Sequence, residues 1–445
     1  MIDLFTKQTP INYEIVKKYI SESEHDIVGM SSIREIVKLV NQIEAETGEK
    51  FIRMEMGVPG LPPSDYGVDA EIEALKRGVA SKYPPIEGVA DLKTEISRFL
   101  KFFLDMEIPA ESCIPTVGSM QGSLAAFLVA GRRDFTKDTT LILDPGFPVQ
   151  KQQLRLMHMN YESFDVANFR GEKLREKLET YLFQNNISTI LYSSPNNPSW
   201  MCFDDEELKI IAQVADKYDV VVIEDLAYFG MDSRQDYSTP GVIPYQPTIA
   251  KYTDNYILLI SSSKAFSYAG QRVGMMVIAP TLFNKRFPDL KNYFSSDNFG
   301  HAMIYGAIYS LSAGTSHSAQ YALAGMLKAA NDGEYNFIND VRAYGYRAGE
   351  MKRIFLENGF KIVYQDDYNK PIGDGFYFTF CYGKMDGYEL LERLLYYGIS
   401  SIALTLTGSD RKEGLRACVS QVKGKLLPTL EARLKLFNEH HKNLI

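Results

Sequence analysis

What this 445-residue chain lacks narrows its identity first. No run of apolar residues approaches the roughly 18 that a membrane helix needs. The longest, at 124–130, stops at Gly131-Arg132-Arg133. Positions 1–24 alternate apolar with charged residues and lack a basic start followed by an apolar block, so no secretory leader is expected. Cysteine is scarce. Cys113, Cys202, Cys381 and Cys418 are scattered without a CxxC pair, which argues against a disulfide framework or a zinc site. The six histidines (His25, His158, His301, His317, His440 and His441) show no metal-ligand spacing, so no metal is expected. Charge is nearly balanced at a net −8, which argues against the concentrated basic face that a nucleic-acid partner demands. Internal repeats and low-complexity tracts are missing too. Together these absences point to the cytoplasm, with no membrane and no nucleic acid among the partners.

What is present fits two domains around a substantial core, with 45% hydrophobic and 23% charged residues. Between about 115 and 280, buried strand-like runs at 140–143, 189–192, 220–223, 257–260 and 274–278 alternate with helical patterns such as 121–129 and 205–218. That alternation predicts an α/β fold, a large domain whose mostly parallel sheet is flanked by helices. In such sheets ligands sit outside the carboxyl ends of the strands. Residues 31–47 read as an amphipathic helix ending before Gly48. After about 330 come a long helix (334–357), a strand at 375–381, a helix at 387–397, a strand near 416–419 and a closing helix near 428–438. These predict a smaller α+β domain. The expected division is 1–65 joining the small domain, 66–330 as the large domain and 331–445 as the small C-terminal domain.

The most specific feature is Ser261-Ser262-Ser263-Lys264-Ala265-Phe266-Ser267-Tyr268-Ala269-Gly270-Gln271-Arg272-Val273-Gly274. It puts a lysine at the carboxyl end of the strand 257–260, among small hydroxyl residues, with an arginine and a glycine following. The polar cluster interrupts two buried apolar strands, so Lys264 is expected to point into a site. The segment resembles the cofactor-lysine motif of the class I/II aminotransferases, which are fold-type I pyridoxal-phosphate enzymes. In that motif serine, lysine and arginine fall at relative positions −3, 0 and +8, as Ser261, Lys264 and Arg272 do. Ser262 and Tyr268 depart from the commonest pattern.

The resemblance extends over roughly 30–440. Asp225 and Tyr228, in Glu224-Asp225-Leu226-Ala227-Tyr228, follow the strand 220–223 as in the family's Asp-x-x-Tyr. A carboxylate there keeps the pyridine nitrogen protonated, so that the ring withdraws electrons from a Cα carbanion. The tyrosine hydroxyl is implied to bond the ring's 3′-oxygen. Taken by itself, an aspartate after a strand is equally a helix N-cap. Ser193-Ser194-Pro195-Asn196-Asn197-Pro198-Ser199-Trp200 resembles the Asn-Pro-Thr-Gly turn, with Asn197 donating to the same oxygen. Here Ser199 replaces threonine and Trp200, the only tryptophan, replaces glycine, a serious change if the position needs positive φ.

Val117-Gly118-Ser119-Met120-Gln121 precedes a helix and resembles the phosphate cup, with Gly118, Ser119 and Met120 at the matching positions. Ser261 and Arg272 are implied to close the cup. Phe147, in Asp144-Pro145-Gly146-Phe147-Pro148, matches the aromatic that stacks on the pyridine ring. Tyr83 resembles the tyrosine that reaches the phosphate of a neighbouring subunit, which implies a homodimer. Arg416, in Gly414-Leu415-Arg416-Ala417-Cys418-Val419, matches the arginine that clamps the substrate α-carboxylate, and Gly57 the glycine whose backbone touches it. Asn197 counts among the substrate-binding residues as well.

The resemblance implies an aminotransferase that binds pyridoxal 5′-phosphate through an imine with Lys264. The freed lysine then moves the α-proton. An amino acid and a 2-oxo acid are the expected substrates, in ping-pong order. The same constellation supports an amino-acid lyase. A cofactor-binding regulator is the remote alternative, since residues 1–50 are too short and too acidic for a DNA-binding module.

Overall fold

The computed structural model describes residues 8–25 and 27–444; positions 1–7 of the expected N-terminal segment lie outside the described residues. By contacts the chain divides into two compact units. One comprises Leu61–Asn196 and Cys202–Val341, the other Met1–Gly60, Asn197–Met201 and Arg342–Ile445.

The first unit is organised by a seven-stranded sheet: β1 (Cys113–Thr116), β2 (Thr139–Asp144), β3 (Asn160–Asp165), β4 (Ile187–Ser193), β5 (Val221–Leu226), β6 (Tyr256–Ser261) and β7 (Gly274–Ile278). The order across the sheet is β1-β7-β6-β5-β4-β2-β3. Pairing is parallel from β6 through β3, and β7 runs antiparallel to both of its neighbours. The central strands are near-continuous Val, Ile and Leu because helices cover both faces. Every residue of β5, β6 and β7 is buried.

The helices start and stop where side-chain chemistry allows. Asp204 caps Asp205–Lys217 by accepting from Glu207 N at 3.0 Å, with acids in the first turn and Lys217 in the last. The sequence pattern missed β1 and β3. Both are edge strands. β1 is short and carries Pro115, which an edge tolerates. Asn160–Asp165 is half polar and shows no apolar run.

The second unit carries a four-stranded antiparallel sheet of β8 (Phe360–Ile362), β9 (Tyr377–Tyr382), β10 (Ile402–Ala403) and β11 (Leu415–Cys418), in the order β10-β11-β9-β8. Ile52–Arg53 pairs in parallel with Ile399–Ser400. Its core is aromatic: Phe355 packs on Phe360, Phe378 and Phe380, and Phe360 on Phe437. The helix Ile33–Thr47 begins with a capping box between Ser32 and Glu35 and ends on Gly48 at φ +75. The long helix begins at Phe337, three residues later than its sequence pattern.

Among the described residues no helix is long and apolar enough to cross a membrane, and no group of His, Cys, Asp or Glu could hold a metal ion.

Candidate active site

The register of the large sheet brings the marked residues to the carboxyl ends of its parallel strands. Ser193, the last residue of β4, pairs with Asp225 near the end of β5, and Asp225 pairs with Leu259 of β6. Ser261, the last residue of β6, pairs with Gly274, which also pairs with Thr116 at the end of β1. Lys264 follows β6 in the short helix Ser262–Ala265 and is half-buried.

The lysine loop is tied down on every side. Ser261 Oγ accepts from Ser263 N at 3.1 Å, and Ser262 Oγ donates to Val273 O at 2.5 Å. Tyr268 donates from its backbone to Ser262 O and from its hydroxyl to buried Glu71 at 2.6 Å. Phe266 packs its ring 4.6 Å from Phe337 and 6.2 Å from Phe99. The two departures from the family pattern, Ser262 and Tyr268, therefore anchor the backbone that presents Lys264.

Gly118 opens the helix Gly118–Ala130 at φ +64, where a side chain would be strained. A Cβ there would lie 2.6 Å from Arg272 Nη2, so the guanidinium rests directly on this glycine. Gly274 lets the helix start approach the sheet: its Cβ would lie 3.2 Å from both Ser119 N and Gly118 C. Among the described residues no side chain caps the helix at Val117. Its first N–H groups, including those of Ser119 and Met120, are therefore placed to bind an anion, with Arg272 beside them.

Asp225 is 6% exposed. Its Oδ1 accepts from Ala227 N at 3.1 Å and its Oδ2 from Gln150 Nε2 at 2.9 Å. Burial pushes its carboxyl up from 3.8 to about 6, while these bonds and the nearby Lys264 ammonium restrain the rise. The aspartate thus makes the turn-capping bond of a strand-end Asp and, among the described residues, still keeps a carboxylate oxygen bonded to one partner only. Glu224, next to it in the strand and so on the opposite face, is fully buried and raised to about 7. Tyr192, Thr248 and the backbone of Ile249 bond it, which makes it part of the core. Tyr228 is buried just past β5, and Phe147 is half-buried just past β2, where Asn196 Nδ2 donates to Pro145 O at 2.7 Å. Tyr83 is 90% exposed.

In the other unit, Arg416 sits on β11 and is only 1% exposed. Nη1 donates to Asn197 Oδ1 at 3.2 Å and Nη2 to Glu55 O at 2.5 Å. Nε has no hydrogen-bond partner among the described residues, and no carboxylate there pairs with the guanidinium. The Glu55 side chain is taken by Arg53 and Ser400. A buried cation lacking its anion is costly, and it is the strongest sign of a carboxylate ligand in this unit. The Gly57 backbone lies against Tyr377, since a Cβ there would come within 2.0 Å of the Tyr377 hydroxyl.

Sequence reasoning overlooked Gln150, whose only signal is its place in the first turn after Phe147. It also overlooked Tyr377, a strand residue two positions from the partner of Arg416.

A lysine at the carboxyl end of a parallel sheet, a buried carboxylate near it and a helix start open to an anion are the features that the resemblance to the fold-type I pyridoxal-phosphate enzymes implies. A probable aspartate aminotransferase of Methanocaldococcus jannaschii is 25% identical over 82% of this chain and 86% of its own length. An aspartate aminotransferase of Pyrococcus horikoshii is 26% identical over 62% of this chain and 66% of its own. The crystal structure of an aspartate aminotransferase from Thermotoga maritima superimposes with a TM-score of 0.73, at 19% identity, over 95% of this chain and 99% of that one. The family model for aminotransferase class I and II matches residues 49–364, and the chain belongs to that family. It is an enzyme that transfers amino groups, and its cofactor is pyridoxal 5′-phosphate. The residues present fit the group: the open helix start suits its phosphate, Asp225 suits a protonated ring nitrogen, and Lys264 suits its aldehyde.

Proposed function

We propose that this chain moves the amino group of an α-amino acid to a 2-oxo acid in two half-reactions, with the following division of labour. When bound, pyridoxal phosphate supplies an aldehyde that takes up the amino group and a ring that withdraws electrons from the substrate's Cα. Gly118, Ser119, Met120, Ser261 and Arg272 hold the phosphate. Phe147 covers the ring face, and Tyr228 and Asn197 serve its 3′-oxygen. Asp225 keeps a proton on the pyridine nitrogen, and Gln150 holds the carboxylate in place for that bond. Lys264 Nζ anchors the cofactor and, once displaced, carries the proton to and from Cα as general base and acid. Arg416 grips the substrate α-carboxylate with the Gly57 backbone beside it. The observation that carries the reading is buried Asp225, raised by burial yet bonded on Oδ2, among the described residues, by Gln150 alone, with the Lys264 ammonium nearby.

The active unit in this reading is a homodimer in which Tyr83, exposed on this chain, serves the neighbouring subunit's phosphate. The cytoplasm is the proposed compartment, supported by four free thiols. Residues 66–330 form the proposed cofactor domain, and 331–445 with 1–65 the second domain. The test is a half-reaction screen. Single amino acids, with aspartate first because the relatives are named for it, are added to cofactor-loaded protein without an oxo acid. The donor converts the cofactor's absorption band to that of its amine form and yields one equivalent of oxo acid. Release of ammonia in place of that conversion would refute the proposal in favour of a lyase.

A further inference from the structure

The position before Met201 takes the left-handed backbone, with Trp200 at φ +67 and its side chain fully buried. Room for the indole comes from Gly375, where a Cβ would lie 2.0 Å from Trp200 Cζ2 and 2.1 Å from Cε2. No residue larger than glycine fits there while the indole stays in place. Beyond Gly375, the indole meets the Tyr377 ring edge-on, with centroids 6.4 Å apart at 67°. The Tyr377 ring in turn lies 4.6 Å from Arg416 Cζ. This follows from register: Thr379 is opposite Arg416, so Tyr377 is its diagonal neighbour on the same face.

The guanidinium is thus fixed by Asn197 and by the backbone of Glu55, and by an aromatic ring beside it. We propose that Tyr377 and Trp200 are positioning residues for carboxylate binding: Trp200, seated over Gly375, holds the Tyr377 ring against Arg416, so that the arginine is in its binding orientation before the carboxylate arrives. The inference rests on the reading that Arg416 takes the substrate α-carboxylate. A cation–aromatic contact counts most when desolvated, as it is here. An arginine held in place loses less freedom on binding. Because Trp200 is the only tryptophan, all tryptophan emission comes from this stack and reports directly on it.

The test uses cofactor-loaded protein, with pyruvate as probe and the amino donor found in the half-reaction screen. Pyruvate is expected to change tryptophan emission saturably in the parent but not in Arg416→Ala. Tyr377→Leu is expected to raise the pyruvate KM about tenfold with kcat nearly unchanged, the pattern of a lost ground-state grip, and Tyr377→Phe to restore most of the affinity. Gly375→Ala is expected to raise KM about tenfold in the parent, yet by less than about twofold in a Trp200→Gly background, because the clash is with the indole. An unchanged KM in Tyr377→Leu, with independent effects at 375 and 200, overturns the positioning role while loss of binding in Arg416→Ala upholds the reading of Arg416. Parental pyruvate affinity in Arg416→Ala overturns that reading itself. Where Tyr377→Leu fails to fold, the cycle between positions 200 and 375 decides.

Discussion

Asp225→Asn separates what the cofactor needs from what the bare protein tolerates. The carboxyl is 6% exposed, and burial lifts it from 3.8 to about 6. At about 1.4 kcal/mol per pH unit, that rise is worth about 3 kcal/mol. The sign follows from linkage: the folded protein holds the proton more tightly than the unfolded chain. The stability contributed by the protonated form is therefore complete below 3.8 and lost as pH rises through about 6. Above that range the cofactor-free protein carries a buried charge that asparagine lacks. The Gln150 amide can rotate to accept from an asparagine, so the bonding survives the change. Without cofactor, Asp225→Asn should be more stable than the parent at about pH 8 by up to about 3 kcal/mol, and this lead should fade by about pH 4. With pyridoxal phosphate the order should reverse at about pH 8, because only the carboxylate pairs with a protonated ring nitrogen. Urea midpoints across pH, with and without cofactor, measure both effects. If the cofactor-free parent were more stable than Asp225→Asn by the same margin at every pH, the reasoning would fail.

Two further outcomes follow from the same unit. Lys264→Ala should lose covalent attachment of the cofactor, seen as loss of its visible absorption band after dialysis, together with transamination; retained turnover would remove the lysine from its proposed role. Gly118→Ala adds a Cβ 2.6 Å from Arg272 Nη2 at a backbone φ of +64. It should weaken cofactor binding about tenfold or more, since both the helix start and the arginine must shift. An absorbance titration with pyridoxal phosphate, compared with pyridoxal lacking the phosphate, should show the loss only for the phosphorylated form.

The sheet was legible because its central strands are buried on both faces and so appear as unbroken apolar runs. The runs at 220–223 and 257–260 are of this kind, although the first strand continues into Glu224-Asp225-Leu226. The edge strand Asn160–Asp165 was not legible for the same reason inverted, since it meets solvent and its polar residues erase the pattern, while Cys113–Thr116 is buried but too short and broken by Pro115. The antiparallel direction of β7 was also out of reach, since a strand's composition does not record which way its neighbour runs. Among site residues, Asp225 and Gly118 by themselves read equally as helix caps and rested on the family resemblance, whereas Lys264 stood out through local context. Gln150 did not, because an uncharged side chain early in a helix looks like surface until the fold turns it toward Asp225.

Trp200 shows why a local rule can be right and still incomplete. The rule that this turn position wants positive φ holds, since the backbone stands at +67 with a tryptophan in place. Such a conformation costs a non-glycine residue about 1 kcal/mol. Burying an indole of roughly 200 Å2, at about 25 cal/mol per Å2, contributes at most about 5 kcal/mol. The burial wins, but only where a cavity of the right shape exists, and that cavity is made by Gly375, far along the chain. Sequence alone exposes the conflict at position 200, whereas its resolution depends on two residues that only the fold brings together. The space that the indole needs is left by Gly375, and it is filled by the ring that backs Tyr377 and, through it, Arg416.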